Sequence, residues 1–165
     1  QVYLLEYSDF ECPYCKQFHP TMQQVIKEYG DKVVWVYRHY PLSFHQNAQK
    51  ESEASECAGQ LGGNSVFWKY TDKIFERTTS NGTGFPLDKL IPLAKELGLP
   101  EDKFKSCLDN NTYESKVKDQ IVQGAKEGVN GTPTTFIIGK NGKSEFASGA
   151  LSIEQLKALI DSVLK

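Results

Sequence analysis

Cys12-Pro13-Tyr14-Cys15 stands between an apolar run and a helical pattern, and that placement constrains the chain more than any other feature. Two thiols at this spacing can close a disulfide and open it again, or they can supply half of a zinc site. Upstream, Val2-Tyr3-Leu4-Leu5-Glu6-Tyr7 reads as a buried strand. Downstream, Phe18, Val25, Ile26 and Tyr29 recur at helical spacing until Gly30 stops the pattern. Cys12 therefore falls at a helix N-terminus, where unpaired backbone N–H groups and the helix dipole favour thiolate over thiol. Pro13 takes the first turn, where its missing N–H costs nothing. A zinc site needs more ligands than these two. His19, one turn beyond Cys15, is the best placed, but Cys57, Cys107, His39 and His45 are scattered and no second C-x-x-C exists. Redox chemistry is the leading reading. A non-enzymatic zinc or binding module and an inert disulfide are the alternatives.

A second element lies far along the chain. Gly128-Val129-Asn130-Gly131-Thr132-Pro133-Thr134-Thr135-Phe136-Ile137-Ile138 leaves a helix through glycines and enters a β-branched strand through Thr-Pro. Together with the C-x-x-C, this resembles the thioredoxin superfamily, whose members carry a cis-proline loop beside the active-site cysteines. The resemblance is closest to the DsbA-like branch, which has a helical insertion inside the thioredoxin fold. Glu6 to Cys15 looks like that branch's active-site strand and turn. Arg38-His39-Tyr40-Pro41-Leu42, Phe67-Trp68 and Gly131-Thr132-Pro133-Thr134 follow in family order, so the likeness covers nearly the whole chain.

The pattern between these landmarks gives an α/β chain in the order β-α-β, helices, β-β-α. Lys32 to Tyr40 reads as a second strand. Asn47 to Gly62 and Val66 to Phe75 read as helices, Thr78 to Pro86 as a loop, and Leu87 to Leu97 and Pro100 to Leu108 as short helices. Tyr113, Val117, Ile121 and Ala125 mark one face of a further helix. Thr134 to Ile138, a turn at Asn141-Gly142, and Lys143 to Ala147 make a hairpin. Ser152 with Gln155 forms a capping box for a last helix whose face is Leu156, Leu159, Ile160 and Val163. The expected fold is thus a single DsbA-like domain over 1–165. Its thioredoxin core spans about 1–43 and 129–165, and its helical insertion about 44–128. The 165 residues suffice for one good core, and a formal net charge of −2 gives no reason to expect a nucleic acid or an anionic membrane as partner. No run reaches transmembrane length. Gln1 is not an initiator methionine, so a signal peptide or N-terminal anchor would lie outside the chain.

The chemistry expected is thiol exchange with no cofactor and no metal. Cys12 is the exposed reacting sulfur, its pKa lowered into the ~3.5–7.5 range of such sites, and Cys15 is the more buried resolving thiol. The resemblance implies that Thr132-Pro133 is a cis bond facing the cysteines, and that Pro13, Tyr14, Thr132 and Pro133 contact substrate. It also implies that Glu6, on the buried strand, accepts the Cys15 proton; a strand-end glutamate reaching water is the plainer alternative. Tyr14 replaces the histidine usual before the second cysteine of DsbA proteins, which removes a neighbouring imidazolium. Pro20 matches a proline of the active-site helix, His19 reads as a helix-surface residue, and His39 and His45 carry no assigned chemistry. Four cysteines allow three pairings, and a subset of DsbA-like proteins bridges a pair matching Cys57 and Cys107; two buried free thiols are the alternative. The function implied is a monomeric oxidoreductase that introduces disulfides into reduced, unfolded polypeptides, with a disulfide reductase or isomerase as the alternative. It would work in a bacterial periplasm or at the outer face of the cell envelope, with a redox partner, a membrane protein among the candidates, resetting the site.

Overall fold

Alternation along Val2–Ser8 (β1) turns Val2, Leu4, Glu6 and Ser8 to one face of the sheet and Tyr3, Leu5 and Tyr7 to the other. The computed structural model describes residues 1–165. β1 lies inside a four-stranded sheet of order β2-β1-β3-β4. It runs parallel to β2 (Val33–His39) and antiparallel to β3 (Thr134–Gly139), which pairs antiparallel with β4 (Ser144–Ser148). The crossover from β1 to β2 is α1 (Pro13–Tyr29), which ends where Gly30 adopts φ +53° and its N–H bonds the Ile26 carbonyl. Between β2 and β3 come α2 (Ala48–Gly62), α3 (Asn64–Arg77), α4 (Leu90–Glu96), α5 (Glu101–Asp109) and α6 (Glu114–Lys126), and α7 (Ile153–Leu164) closes the chain. This is a thioredoxin-like fold with helices inserted between its second and third strands.

Two apolar cores result. In the first, Val2 and Leu4 meet Phe18, Met22 and Val25 of α1 and Leu156, Ile160 and Val163 of α7. The Ser152–Gln155 capping box fixes where α7 starts, its two bonds running 2.9 and 3.2 Å. In the second, Phe10, Cys12, Cys15 and Tyr37 join Tyr70, Ile74, Leu90, Leu93 and Phe104 from the inserted helices. The cysteine pair is therefore packed against the helical layer at the seam between the two parts.

Three expectations need correcting here. The inward stripe of α6 is Val117, Gln120 and Gly124, while Ala125 is exposed. The face is set by Gln120, whose Oε1 accepts the His39 backbone N–H at 2.7 Å, and by Gly124. A Cβ on Gly124 would come within 2.8 Å of the Tyr7 ring and 3.0 Å of the Tyr40 ring. His19 is buried, with Nε2 2.7 Å from Asp72 Oδ1 of α3. The inserted helices cover the face of α1 that carries it, which no pattern local to α1 records. The segment from Leu87 also opens as a 3₁₀ turn, Leu87–Lys89, and becomes α-helical only at Leu90.

Cys57 on α2 and Cys107 on α5 form a disulfide across a sequence separation of 50. Closing a loop of that length removes denatured-state entropy equivalent to about 4 kcal/mol in the chain-entropy picture. Replacing both cysteines with alanine should lower stability by up to about that amount in urea denaturation while leaving the exchange rate of the Cys12–Cys15 pair nearly unchanged. A variant that stays folded yet loses exchange would show that the bridge takes part in the chemistry.

Candidate active site

The turn Asp9-Phe10-Glu11 joins β1 to α1, and its two carboxylates hold it in place. Asp9 accepts the backbone N–H groups of Glu11 at 2.7 Å and Leu42 at 2.8 Å, and its Oδ2 lies 2.6 Å from His45 Nδ1. Glu11 accepts the Thr78 hydroxyl at 2.9 Å and the N–H groups of Gly82, Gly84 and Phe85 at 3.2, 2.7 and 3.0 Å. Both carboxylates are fully buried. Behind Glu11, Glu51 of α2 is also buried; desolvation first, and then the Glu11 carboxylate beside it, push its pKa up to about 10. Glu51 therefore keeps its proton at neutral pH and can lie against a charged neighbour without repulsion.

Held this way, Cys12 becomes the N-cap of α1, with extended backbone (φ −80°, ψ 122°) and Pro13 following in the first turn. The pair is in the dithiol form. A hydrogen bond from the Cys15 thiol is the main cause that draws the Cys12 pKa down from 9.0 to about 6. Burial opposes it, while the Thr132 side chain and the backbone N–H groups of Cys15 and Tyr14 add to it. Cys15 moves the opposite way: burial first, and then the Cys12 sulfur beside it, push its thiol well up. The Asp9 N–H points at the Cys15 sulfur from 3.4 Å. One turn of helix thus separates a thiol prone to ionise from one that holds its proton.

Thr132–Pro133 is a cis peptide, and the Thr132 carbonyl lies 3.5 Å from Cys12 Sγ. Tyr14 projects into solvent at 63% exposure. Cys12, Cys15, Pro13, Tyr14, Thr132 and Pro133 therefore share one end of the molecule. Cys12 is not the exposed sulfur expected from the sequence: it keeps 4% of its surface, because it leans on the Thr132 carbonyl instead of reaching outward. Glu6 is wholly buried, which excludes the water-facing alternative. Desolvation raises its pKa, and Trp35 Nε1 donates to its Oε2 at 2.8 Å. Pro20 lies inside α1.

No three donor side chains gather as the zinc alternative would require, and His19 Nε2 lies against Asp72. The other histidines, given no role above, are structural here: His45 binds Asp9 and His39 Nε2 lies 2.9 Å from Glu56 Oε1. Sequence reasoning passed over Asp9 and Glu11. Two acids within the turn that precedes a C-x-x-C were the one available signal.

Alkylation of Cys12 should rise with pH through a midpoint near 6 and then level off, whereas Cys15 should react only in alkaline solution; coincident profiles would refute the division between the sulfurs. The same depression stabilises the reduced fold, completely above 9.0 and not at all once the pH has fallen through about 6. Glu11→Ala strips four donors of their buried acceptor and should destabilise the protein by roughly 3 kcal/mol or more in chemical denaturation. It should also leave segment 78–85 open to proteolysis.

The thioredoxin family model matches residues 1–162. The Na(+)/H(+) antiporter NhaA 1 of Salinispora arenicola is 32% identical over 162 residues, which make up 98% of this chain and 23% of that protein. The antiporter NhaA of Herminiimonas arsenicoxydans is 31% identical over 140 residues, 85% of this chain and 21% of its own length. The chain spans about a quarter of these curated relatives. Among solved structures, Pseudomonas aeruginosa DsbA2 superposes with a TM-score of 0.83 at 30% identity, covering 98% of this chain and 87% of that one. The thiol-disulfide exchange protein alpha-DsbA2 of Wolbachia pipientis superposes with a TM-score of 0.81, covering 98% and 81%, and at 20% identity shows likeness of fold alone. With a thiolate-prone C-x-x-C at a helix start and a cis-proline loop against it, the chain belongs to the thioredoxin family as a DsbA-like thiol–disulfide oxidoreductase.

Proposed function

We propose that the chain introduces disulfides into reduced, unfolded polypeptides by exchange through Cys12 and Cys15. The observation that carries this reading is the opposed displacement of the two thiols, Cys12 drawn down to about 6 and Cys15 pushed up. A thiolate stabilised in the reduced form makes the corresponding disulfide a better oxidant. A substrate thiolate attacks Cys12 Sγ of the oxidised pair, and the electron pair of the broken S–S bond leaves on Cys15, which takes up a proton. A second substrate thiolate then attacks the substrate sulfur of the mixed disulfide and expels Cys12 as thiolate. The substrate loses two electrons and the site gains them. Glu6, buried and with its pKa raised, is the acid that protonates Cys15. Pro13, Tyr14, Thr132 and Pro133 form the surface that meets the substrate, with exposed Tyr14 as its apolar contact.

A redox partner re-oxidises the pair, a membrane protein among the candidates. An extracytoplasmic setting, in a bacterial periplasm or at the outer face of the cell envelope, agrees with the Cys57–Cys107 bridge, which a reducing cytoplasm would not maintain. The antiporter name belongs to the whole of those relatives and is not carried to this chain. One observation favours a second reading, a reductase or isomerase. Tyr14 stands where an imidazolium would strengthen the oxidant, and all three histidines are engaged elsewhere. Equilibration of the Cys12–Cys15 pair against glutathione buffers decides between them. The expected potential lies between roughly −120 and −270 mV, in the more oxidising half, and a value below about −270 mV would assign the chain to the reductases.

A further inference from the structure

Behind Cys15, three buried polar side chains face one another without completing their hydrogen bonds. Alternation puts Glu6 and Ser8 on the same face of β1, the face that α1 covers, and the register sets Tyr37 of β2 beside Glu6. Glu6 retains none of its surface and Ser8 only 1%. One oxygen of Glu6 takes the Trp35 N–H, but Glu6 Oε1, Ser8 Oγ and the Tyr37 hydroxyl have no hydrogen-bond partner. Buried polar atoms are nearly always paired, so three unpaired ones side by side call for a reason. Ser8 adjoins Glu6, Tyr37 and Cys15 without closing a hydrogen bond to any of them, and its hydroxyl draws the pKa of each down. Among the groups acting on the Cys15 sulfur, which also include Cys12 and Thr132, Ser8 is the one that also reaches Glu6.

We propose that the Ser8 hydroxyl is the bridge that carries the proton between Cys15 Sγ and Glu6 Oε1, with Tyr37 walling the passage. This rests on the exchange reading above. When the active-site disulfide opens, its electron pair stays on Cys15 Sγ. The Ser8 O–H bond then breaks toward that sulfur and an S–H bond forms, while the proton of the Glu6 carboxylic acid passes to Ser8 Oγ. Ser8 ends as it began, Cys15 is a thiol and Glu6 a carboxylate. Closure of the disulfide runs the same transfers backwards. A hydroxyl suits this task because it gives and accepts a proton at once without becoming charged. The titratable groups around the passage are His19 of α1 on the Glu6 side, and Cys12 and Asp9 on the side of Cys15 and Tyr37.

The test follows the reduced protein through a single turnover with oxidised glutathione, quenched in acid at intervals to count mixed disulfide and closed disulfide separately. Ser8→Ala should form the mixed disulfide at the wild-type rate but close it about 10- to 100-fold more slowly, with closure now rising to higher pH as an unassisted thiol would. Glu6→Gln should slow closure by a similar factor, and the double variant should be no slower than either single one. Ser8→Thr and Ser8→Val serve as a near-isosteric pair that keeps the measurement decisive if the alanine variant does not fold: threonine should retain fast closure and valine should lose it. Closure at the wild-type rate and pH profile in Ser8→Ala, or equal closure in Thr and Val variants, would overturn the bridge. If Glu6→Gln alone slows closure, the acid acts without Ser8 and the exchange reading stands. If the wild-type protein never closes its disulfide with glutathione, it is the exchange reading that fails.

Discussion

Asp9 and Glu11, on either side of Phe10, bring two carboxyl groups into a region that water does not reach. Isolated, each would be costly. Each instead collects donors from a different part of the chain, Asp9 from Leu42 and His45, Glu11 from Thr78, Gly82, Gly84 and Phe85. The turn is thereby fastened on one side to the segment after β2 and on the other to the loop after α3. Since the residue that follows Glu11 is the N-cap of α1, these bonds also settle where the helix begins. The position of Cys12 over the first-turn N–H groups, and of Cys15 one turn inward, depends on them.

The opposed behaviour of the two sulfurs is a local difference built from common parts. Both cysteines are buried and both belong to the core shared with the inserted helices. Burial alone would push both thiols up. What separates them is the balance between burial and donors. At Cys12 the Cys15 thiol, the helix N-terminus and Thr132 outweigh burial, whereas at Cys15 burial comes first, the neighbouring sulfur adds to it, and Ser8 and Thr132 only oppose it. A substitution that moves the helix start by a fraction of a turn would therefore alter the chemistry of both without touching either.

Features that depend on near neighbours were legible in the sequence. The strand before the C-x-x-C, the helix after it, the Ser152–Gln155 box and the entry of Thr132-Pro133 into β3 are all written within a few residues. The order of strands and helices followed from them, and the fold from the family resemblance that these segments carry. Partnerships across the chain were not legible. Glu11 meets donors 67 to 74 positions away, and His19 meets Asp72 at a separation of 53, so no window on the sequence contains both members. The inward face of α6 was misread for the same reason. A glutamine and a glycine hold it, chosen by a backbone N–H of β2 and by two tyrosine rings, and neither residue scores as apolar. Cys12 was expected at the surface because its helix terminus is exposed in pattern, but the loop of Thr132, 120 residues on, closes over it.

Both tryptophans of the chain sit together, Trp35 and Trp68 with ring centroids 4.4 Å apart, and the Trp35 indole N–H donates a hydrogen bond to Glu6. An indole excited state is strongly dipolar, so its emission wavelength responds to a charge held at hydrogen-bond distance. On the proposed exchange, in which Glu6 gives or takes the Cys15 proton, light emitted by this pair follows the charge on that carboxylate and, by that route, whether the sulfurs are joined or apart. On that reading the molecule carries its own optical gauge of redox state, with no label to attach and no third tryptophan to blur the signal.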